Sequence, residues 1–142
     1  MKTIFVNEND QARKWYIIDA AGKPMGRVAA KVASVLRGKN KVSFTTNQNM
    51  GDYVVVINAE KVAVSGKKET DKLYHHYTGF VGGLRTYTFE KLRERHPEDP
   101  LKIAINGMLP NGRLGRALMK NCKIYAGAEH PHAAQNPQPL DL

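Results

Sequence analysis

Two strand-length apolar runs on either side of one amphipathic segment set the fold class. Trp15-Tyr16-Ile17-Ile18-Asp19 is aromatic and β-branched, unbroken by polar residues until its end, and leads into Ala20-Ala21-Gly22-Lys23-Pro24, the pattern of a buried strand followed by a turn. From Gly26 to Arg37 the apolar Val28, Val32, Val35 and Leu36 fall at helical spacing. Arg27, Lys31 and Ser34 occupy another face, and Gly38 is placed to end the helix. Tyr53-Val54-Val55-Val56-Ile57-Asn58 is again apolar without alternation, as a strand covered on both faces requires. Strand, helix and strand in this order predict a right-handed βαβ unit and an α/β class. A length of 142 residues suits one domain, residues 1–142, with an extended tail from about residue 127.

The remaining segments are read more coarsely. Val62-Ala63-Val64 is expected to form a short strand before Ser65-Gly66-Lys67-Lys68, and Lys72 to Tyr77 another extended piece. Thr78-Gly79 and Gly82-Gly83 mark a Gly-rich loop. Thr88 is a cap for a helix through Arg95, with Glu90 in its first turn. Asp99-Pro100 then signals the start of a helix over Leu101 to Leu109, with Asp99 as its cap and the proline at the first helical position. Arg113, Arg116, Lys120 and Lys123 recur at spacings of one helix face, opposite Leu114, Ala117 and Leu118. Lys123 to Ala126 is a further strand candidate, and the tail carries Pro131, Pro137 and Pro139.

Charge decides which partners fit. The 22 Lys and Arg residues outnumber the 13 Asp and Glu by nine, which points to a polyanion, nucleic acid before membrane. The excess is segregated. Between Asp19 and Asp52 there is no acid, while Lys23, Arg27, Lys31, Arg37, Lys39 and Lys41 contribute six positive charges. From Pro100 to Ala128 there is again no acid, with Lys102, Arg113, Arg116, Lys120 and Lys123. Such windows are the footprint of phosphate contact, since each phosphate neutralised releases counterions and a nearby carboxylate opposes the gain.

A lone cysteine, Cys122, excludes an internal disulfide and a four-cysteine zinc site, and fits a reducing cytosol. Apolar runs such as Tyr53 to Ile57 fall far short of the roughly 18–20 residues of a membrane span. The opening Met1 to Val6 is too short for the apolar core of a secretory signal. The chain is therefore read as cytosolic, with no membrane and no small-molecule partner.

Candidate sites of chemistry are weak. Gly22-Lys23-Pro24-Met25-Gly26-Arg27 sits between strand and helix, yet matches neither the dinucleotide fingerprint nor the P-loop. A plain turn, whose helix N-terminus accepts an RNA phosphate, is the simpler reading. Asp19 ends its strand while Asp52 precedes its own, so parallel pairing sets them at opposite edges and rules out a shared acid–base role. His130-Pro131-His132 has ligand-like spacing without further ligands nearby, so no metal is expected. Cys122 has no base partner and reads as half-buried packing. Tyr74, Tyr77, Phe80 and Tyr87, interleaved with Lys72, His75, His76 and Arg85, suit either base stacking or alternate-residue packing. No catalytic residue and no cofactor is therefore expected.

An ordered series of motifs resembles one family closely. It comprises Trp15-Tyr16 through Asp19-Ala20 with Gly26-Arg27, Gly51-Asp52-Tyr53 into Val56-Ile57-Asn58-Ala59-Glu60-Lys61, and Gly66-Lys67-Lys68. It continues with Tyr77-Thr78-Gly79 and Gly82-Gly83-Leu84, Gly107-Met108-Leu109-Pro110 and Leu114-Gly115-Arg116, then Tyr125-Ala126-Gly127, His130-Pro131-His132 and Gln135. Over about 120 residues this resembles the bacterial large-subunit ribosomal proteins of the L-thirteen family. The resemblance implies a three-layer α/β/α fold with a small, mainly parallel sheet. It also implies a non-enzymatic role in binding 23S rRNA and supporting early 50S assembly, beside neighbouring large-subunit proteins. The expected rRNA contacts are Lys23, Arg27, Lys31, Arg37, Lys39, Lys41, Lys67, Lys68, Arg113, Arg116, Lys120, Lys123, His130 and His132. Asn106 departs from the pattern, standing where lysine is frequent, and Cys122 replaces an aliphatic residue. The rival readings are a nucleotide-binding α/β enzyme and a free regulatory nucleic-acid binder.

Overall fold

The computed structural model describes residues 5–142; Met1 to Ile4, the start of the run weighed as a signal segment, lie outside the described residues. Strand β1 (Trp15–Asp19) and strand β2 (Tyr53–Ile57) pair in parallel over their full length, from Trp15 opposite Tyr53 to Asp19 opposite Ile57. The crossover between them is helix α1 (Met25–Arg37). Gly38 ends it with φ of 82°, and the Lys39 N–H donates back to the Ser34 carbonyl at 3.0 Å, the left-handed cap that glycine adopts without a Cβ penalty. A Cβ on Gly51 would collide with the Leu36 carbonyl, so the lead into β2 lies directly on the end of α1.

Helix α2 (Lys68–Asp71) precedes an antiparallel hairpin of β3 (Leu73–Tyr77) and β4 (Leu84–Thr88). Helices α3 (Phe89–Arg95), α4 (Asp99–Met108) and α5 (Arg113–Lys120) follow, then β5 (Cys122–Ile124) and β6 (Gln138–Pro139). The main sheet is parallel throughout, in the order β5-β2-β1-β6. The result is a mixed α/β fold consistent with a three-layer arrangement.

Register explains the layers. Ile18, Val54, Val56 and Cys122 point to one face and merge with Val28, Val32 and Leu36 of α1, Phe89 of α3, Leu101 and Ile105 of α4, and Leu118 of α5 in a single buried cluster. Moving from β1 to β2 to β5 steps the same way across the sheet, so right-handed crossovers put these helices on one side. The return from β5 to β6 runs the opposite way and covers the other face, where Trp15 and Tyr53 stack and His132 lies against Trp15. Val54, Val55 and Val56 are all fully buried, as a strand covered on both faces demands.

Several expectations change. Val62 to Val64 makes only one bridge, Ala63 to Pro24, because a 3-10 turn at Ala59–Lys61 takes up the chain before a strand can extend. The extended Lys72 to Tyr77 segment acquires a hairpin partner that its sequence did not announce. Thr88 caps α3 as expected, its hydroxyl accepting from the Lys91 N–H at 3.4 Å. Asp99 sits inside the first turn of α4, with Glu98 at the cap position and Pro100 one residue deeper. The basic helix α5 stops at Lys120, so Lys123 belongs to β5 rather than to the helix face; Cys122 must extend there to pair with Val54 and reach the core. The tail is not wholly extended: it forms a 3-10 turn at Ala133–Gln135 and ends as an edge strand on β1. An edge position tolerates Pro139, which has no N–H to offer, and the Leu140 N–H donates to the Ile17 carbonyl at 2.9 Å.

Candidate nucleic-acid interface

The second acid-free window closes into a cationic groove. Helix α4 supplies Lys102, α5 supplies Arg116 and Lys120, and β5 supplies Lys123, around a floor of Met119, Cys122, Ile124 and Tyr125 and a cavity of about 540 Å³. Lys123, displaced from the helix, thus still faces the helical cations. Glu98 alone among the lining residues is acidic. The turn before α5 is tightly built, since a Cβ on Gly115 would strike the Pro110 carbonyl. This lets the helix N-terminus, with Arg113 exposed at its first position, sit close against Pro110.

The first window splits between two places. At the start of α1, Arg27 shares a groove with Lys68 and Lys72 across Pro24 to Gly26 and Ala63 to Ser65. Here the Gly66-Lys67-Lys68 turn, distant in sequence, meets the basic helix. Lys68 Nζ donates to Ser65 Oγ at 3.2 Å, and Lys67 is exposed beside it. At the far end, Arg37 and Lys39 flank a pocket bounded by Ala30, Ala33, Ser34 and Met108 of α4. Lys23, in the turn before α1, and Lys31, within it, are half-exposed. None of Lys23, Arg27, Lys31, Lys39, Lys67, Arg113, Arg116, Lys120 and Lys123 forms an ion pair among the described residues.

Four expected contacts have internal duties. Lys41 donates to the Ala12 carbonyl at 3.1 Å and pairs with the buried carboxylate of Asp52. Arg37 lies 5.8 Å from the Phe44 ring and reaches the Thr46 carbonyl, bracing the loop after α1. His132 shares a 2.7 Å hydrogen bond between Nε2 and the Tyr125 hydroxyl and stacks 5.1 Å from Trp15. Its backbone N–H donates to His130 Nδ1 at 3.2 Å. Desolvation first, then the charges of His130 and Lys123, hold the His132 pKa below the ordinary histidine value, which favours the neutral ring. The two histidines thus fasten the tail to the sheet. Lys72 and Lys102 join the grooves although neither is among the expected rRNA contacts; the sequence marks Lys102 only by its place in the acid-free window, and Lys72 only as one of the basic residues interleaved with Tyr74, Tyr77, Phe80 and Tyr87.

The remaining candidates carry no reaction chemistry. Asp19 accepts from the Ala21 N–H at 2.9 Å and from Asn58 Nδ2 at 2.8 Å, and these bonds lower its pKa. It ends β1, while Asp52 lies before β2 and accepts from the Lys14 N–H, so the parallel register keeps the two acids at opposite edges. Cys122 is more deeply buried than expected, and burial raises its thiol pKa to about 12 against the opposing pull of Lys123, the reverse of an activated nucleophile. Among the described residues no group of three or more His, Cys, Asp or Glu side chains is placed to hold a metal ion. None of the described helices is long and apolar enough to cross a membrane.

Comparison with known proteins bears on the whole chain. A family model described as Ribosomal protein L13 matches residues 13–131. A protein of Treponema denticola, Large ribosomal subunit protein uL13, is 62% identical over 142 residues, covering 100% of both chains. Its namesake in Treponema pallidum (strain Nichols) is 61% identical over 140 residues, 99% of each chain. That of Hydrogenovibrio crunogenus is 56% identical over 142 residues, again 100% of both.

Proposed function

The chain belongs to the ribosomal protein L13 family, and from that membership we propose that it holds its place by binding 23S rRNA through the cationic grooves. It is a structural, non-enzymatic constituent of the large ribosomal subunit, working in translation in the cytoplasm. The observation that carries the rRNA reading is the groove of Lys102, Arg116, Lys120 and Lys123, four cations from three elements with a single acid at the rim. Groups so placed neutralise phosphates and fix register without reading bases. Arg27 with Lys68 and Lys72 forms a second phosphate site, and Lys23, Lys31, Arg37, Lys39, Lys67 and Arg113 extend both. His130 and His132 serve the interface indirectly, by shaping the tail that lies over the sheet. Neighbouring large-subunit proteins complete the surroundings, and the chain joins early in 50S assembly.

Sedimentation of a cell lysate tests the assignment. Recovery of the chain with large subunits is expected, whereas a chain found mainly at the top of the gradient points to a free regulatory binder. Calorimetry with ATP, GTP and NAD addresses the enzyme reading, for which saturable micromolar binding is the requirement.

A further inference from the structure

The β3–β4 hairpin ends in a loop whose shape is set by its own backbone. The Thr78 N–H donates to the Gly83 carbonyl at 3.1 Å, and the Gly83 N–H to the Phe80 carbonyl at 2.9 Å. Gly79 and Gly82 take φ of 90° and 70°, and a Cβ on Gly83 would collide with Thr78 Oγ1. Thus specified, the loop holds Phe80 and Val81 outward at 78% and 105% exposure. Large apolar groups so displayed on a tightly built turn point to a partner.

The base of the hairpin is anchored. Arg95 of α3 lies 5.1 Å from the Tyr87 ring, and Tyr74 packs against the buried core, support that a two-stranded sheet requires. From Lys72 through Phe89 there is no Asp or Glu, while Lys72, Arg85, His75 and His76 are present. The nearest acids in sequence, Asp71 and Glu90, flank the opposite end, roughly 13 Å away at about 3.3 Å of rise per residue, and Asp99 of α4 lines the groove under Tyr74, His75 and His76, where Arg95 lies beside it. Arg85 and His76 face each other across the strands one step from the tip.

An apolar protein surface would satisfy Phe80 and Val81 but gives no reason for a hairpin whose own strands and loop carry cations and no acid. A polyanion that also offers flat apolar faces satisfies both, and unpaired RNA bases are such a partner. Building on the rRNA reading above, we propose that the loop at 78–83 is a stacking prong. Phe80 packs on an unpaired rRNA base, and Arg85 and His76 approach the flanking phosphates.

The test is a photo-crosslink from the tip. Phe80→p-benzoylphenylalanine, carried by the full chain in large subunits and irradiated, is expected to form adducts with 23S rRNA nucleotides. Adducts only with peptides, or none while the chain is in the subunit, overturn the prong and leave the wider rRNA reading standing. A chain absent from subunits sinks both. In parallel, Phe80→Leu is expected to weaken retention in a salt wash by about tenfold, the scale of one lost base stack, and Phe80→Tyr to keep it. Retention of the Leu variant equal to that of the parent contradicts stacking.

Discussion

Lys41 Nζ lies 2.6 Å from Asp52 Oδ1, joining the loop after α1 to the lead into β2. Asp52 is fully buried, accepts from the Lys14 N–H at 2.9 Å, and closes the entry to the central strand. A lysine in the most basic stretch of the chain is thus a structural counter-ion rather than a phosphate ligand.

Lys41→Met should therefore act on folding. Leaving a buried carboxylate unpaired costs about 3–5 kcal/mol, whereas exposed Lys39→Met should stay within about 0.5 kcal/mol. Urea titration of both variants measures the difference. Equal midpoints contradict the role given to the pair.

The tail should loosen in acid. The His132 pKa is lowered in the folded chain, so the unfolded state binds the proton first. The contribution is present above the unfolded value near 6.5 and is lost as pH falls through the folded value. Trp15 is the only tryptophan and stacks on His132, which makes its fluorescence a direct reporter. The emission should titrate with a midpoint below 6.5, and His132→Gln should abolish the transition. A titration that survives the substitution refutes the assignment.

The thiol should be silent. With the Cys122 pKa raised by burial to about 12, the folded chain should resist a disulfide reagent at pH 8 that labels the urea-unfolded chain at once. The unfolded thiol ionises near 9, so stability should be intact below that pH and fall as pH rises toward 12. Prompt labelling under native conditions would place Cys122 elsewhere than in the core.

The legible parts of the fold were those where one periodicity acts alone. Trp15–Asp19, Met25–Arg37 and Tyr53–Ile57 announce themselves because local pattern and tertiary packing agree. The β3–β4 hairpin is not legible in the sequence because its connection is a six-residue loop rather than a two-residue turn, and because its strands are largely exposed on both faces, which leaves no clean alternation. Lys123 was misplaced because a helical spacing of cations continues for one step beyond the helix, while pairing of Cys122 with Val54 decides where the helix stops. In the interface, charge segregation marked the cations but not their internal partners. Nothing in the sequence couples Lys41 to Asp52 or His132 to Tyr125, since each contact depends on how separate segments pack.

Charge reversal on α5 tests the central claim most directly. Arg113 and Arg116 are exposed, and glutamate near a helix N-terminus favours the helix, so Arg113→Glu with Arg116→Glu should leave the fold intact. The account predicts that the folded double variant is incorporated into salt-washed large subunits far less than the parent chain. Incorporation equal to the parent's would contradict rRNA binding through this face.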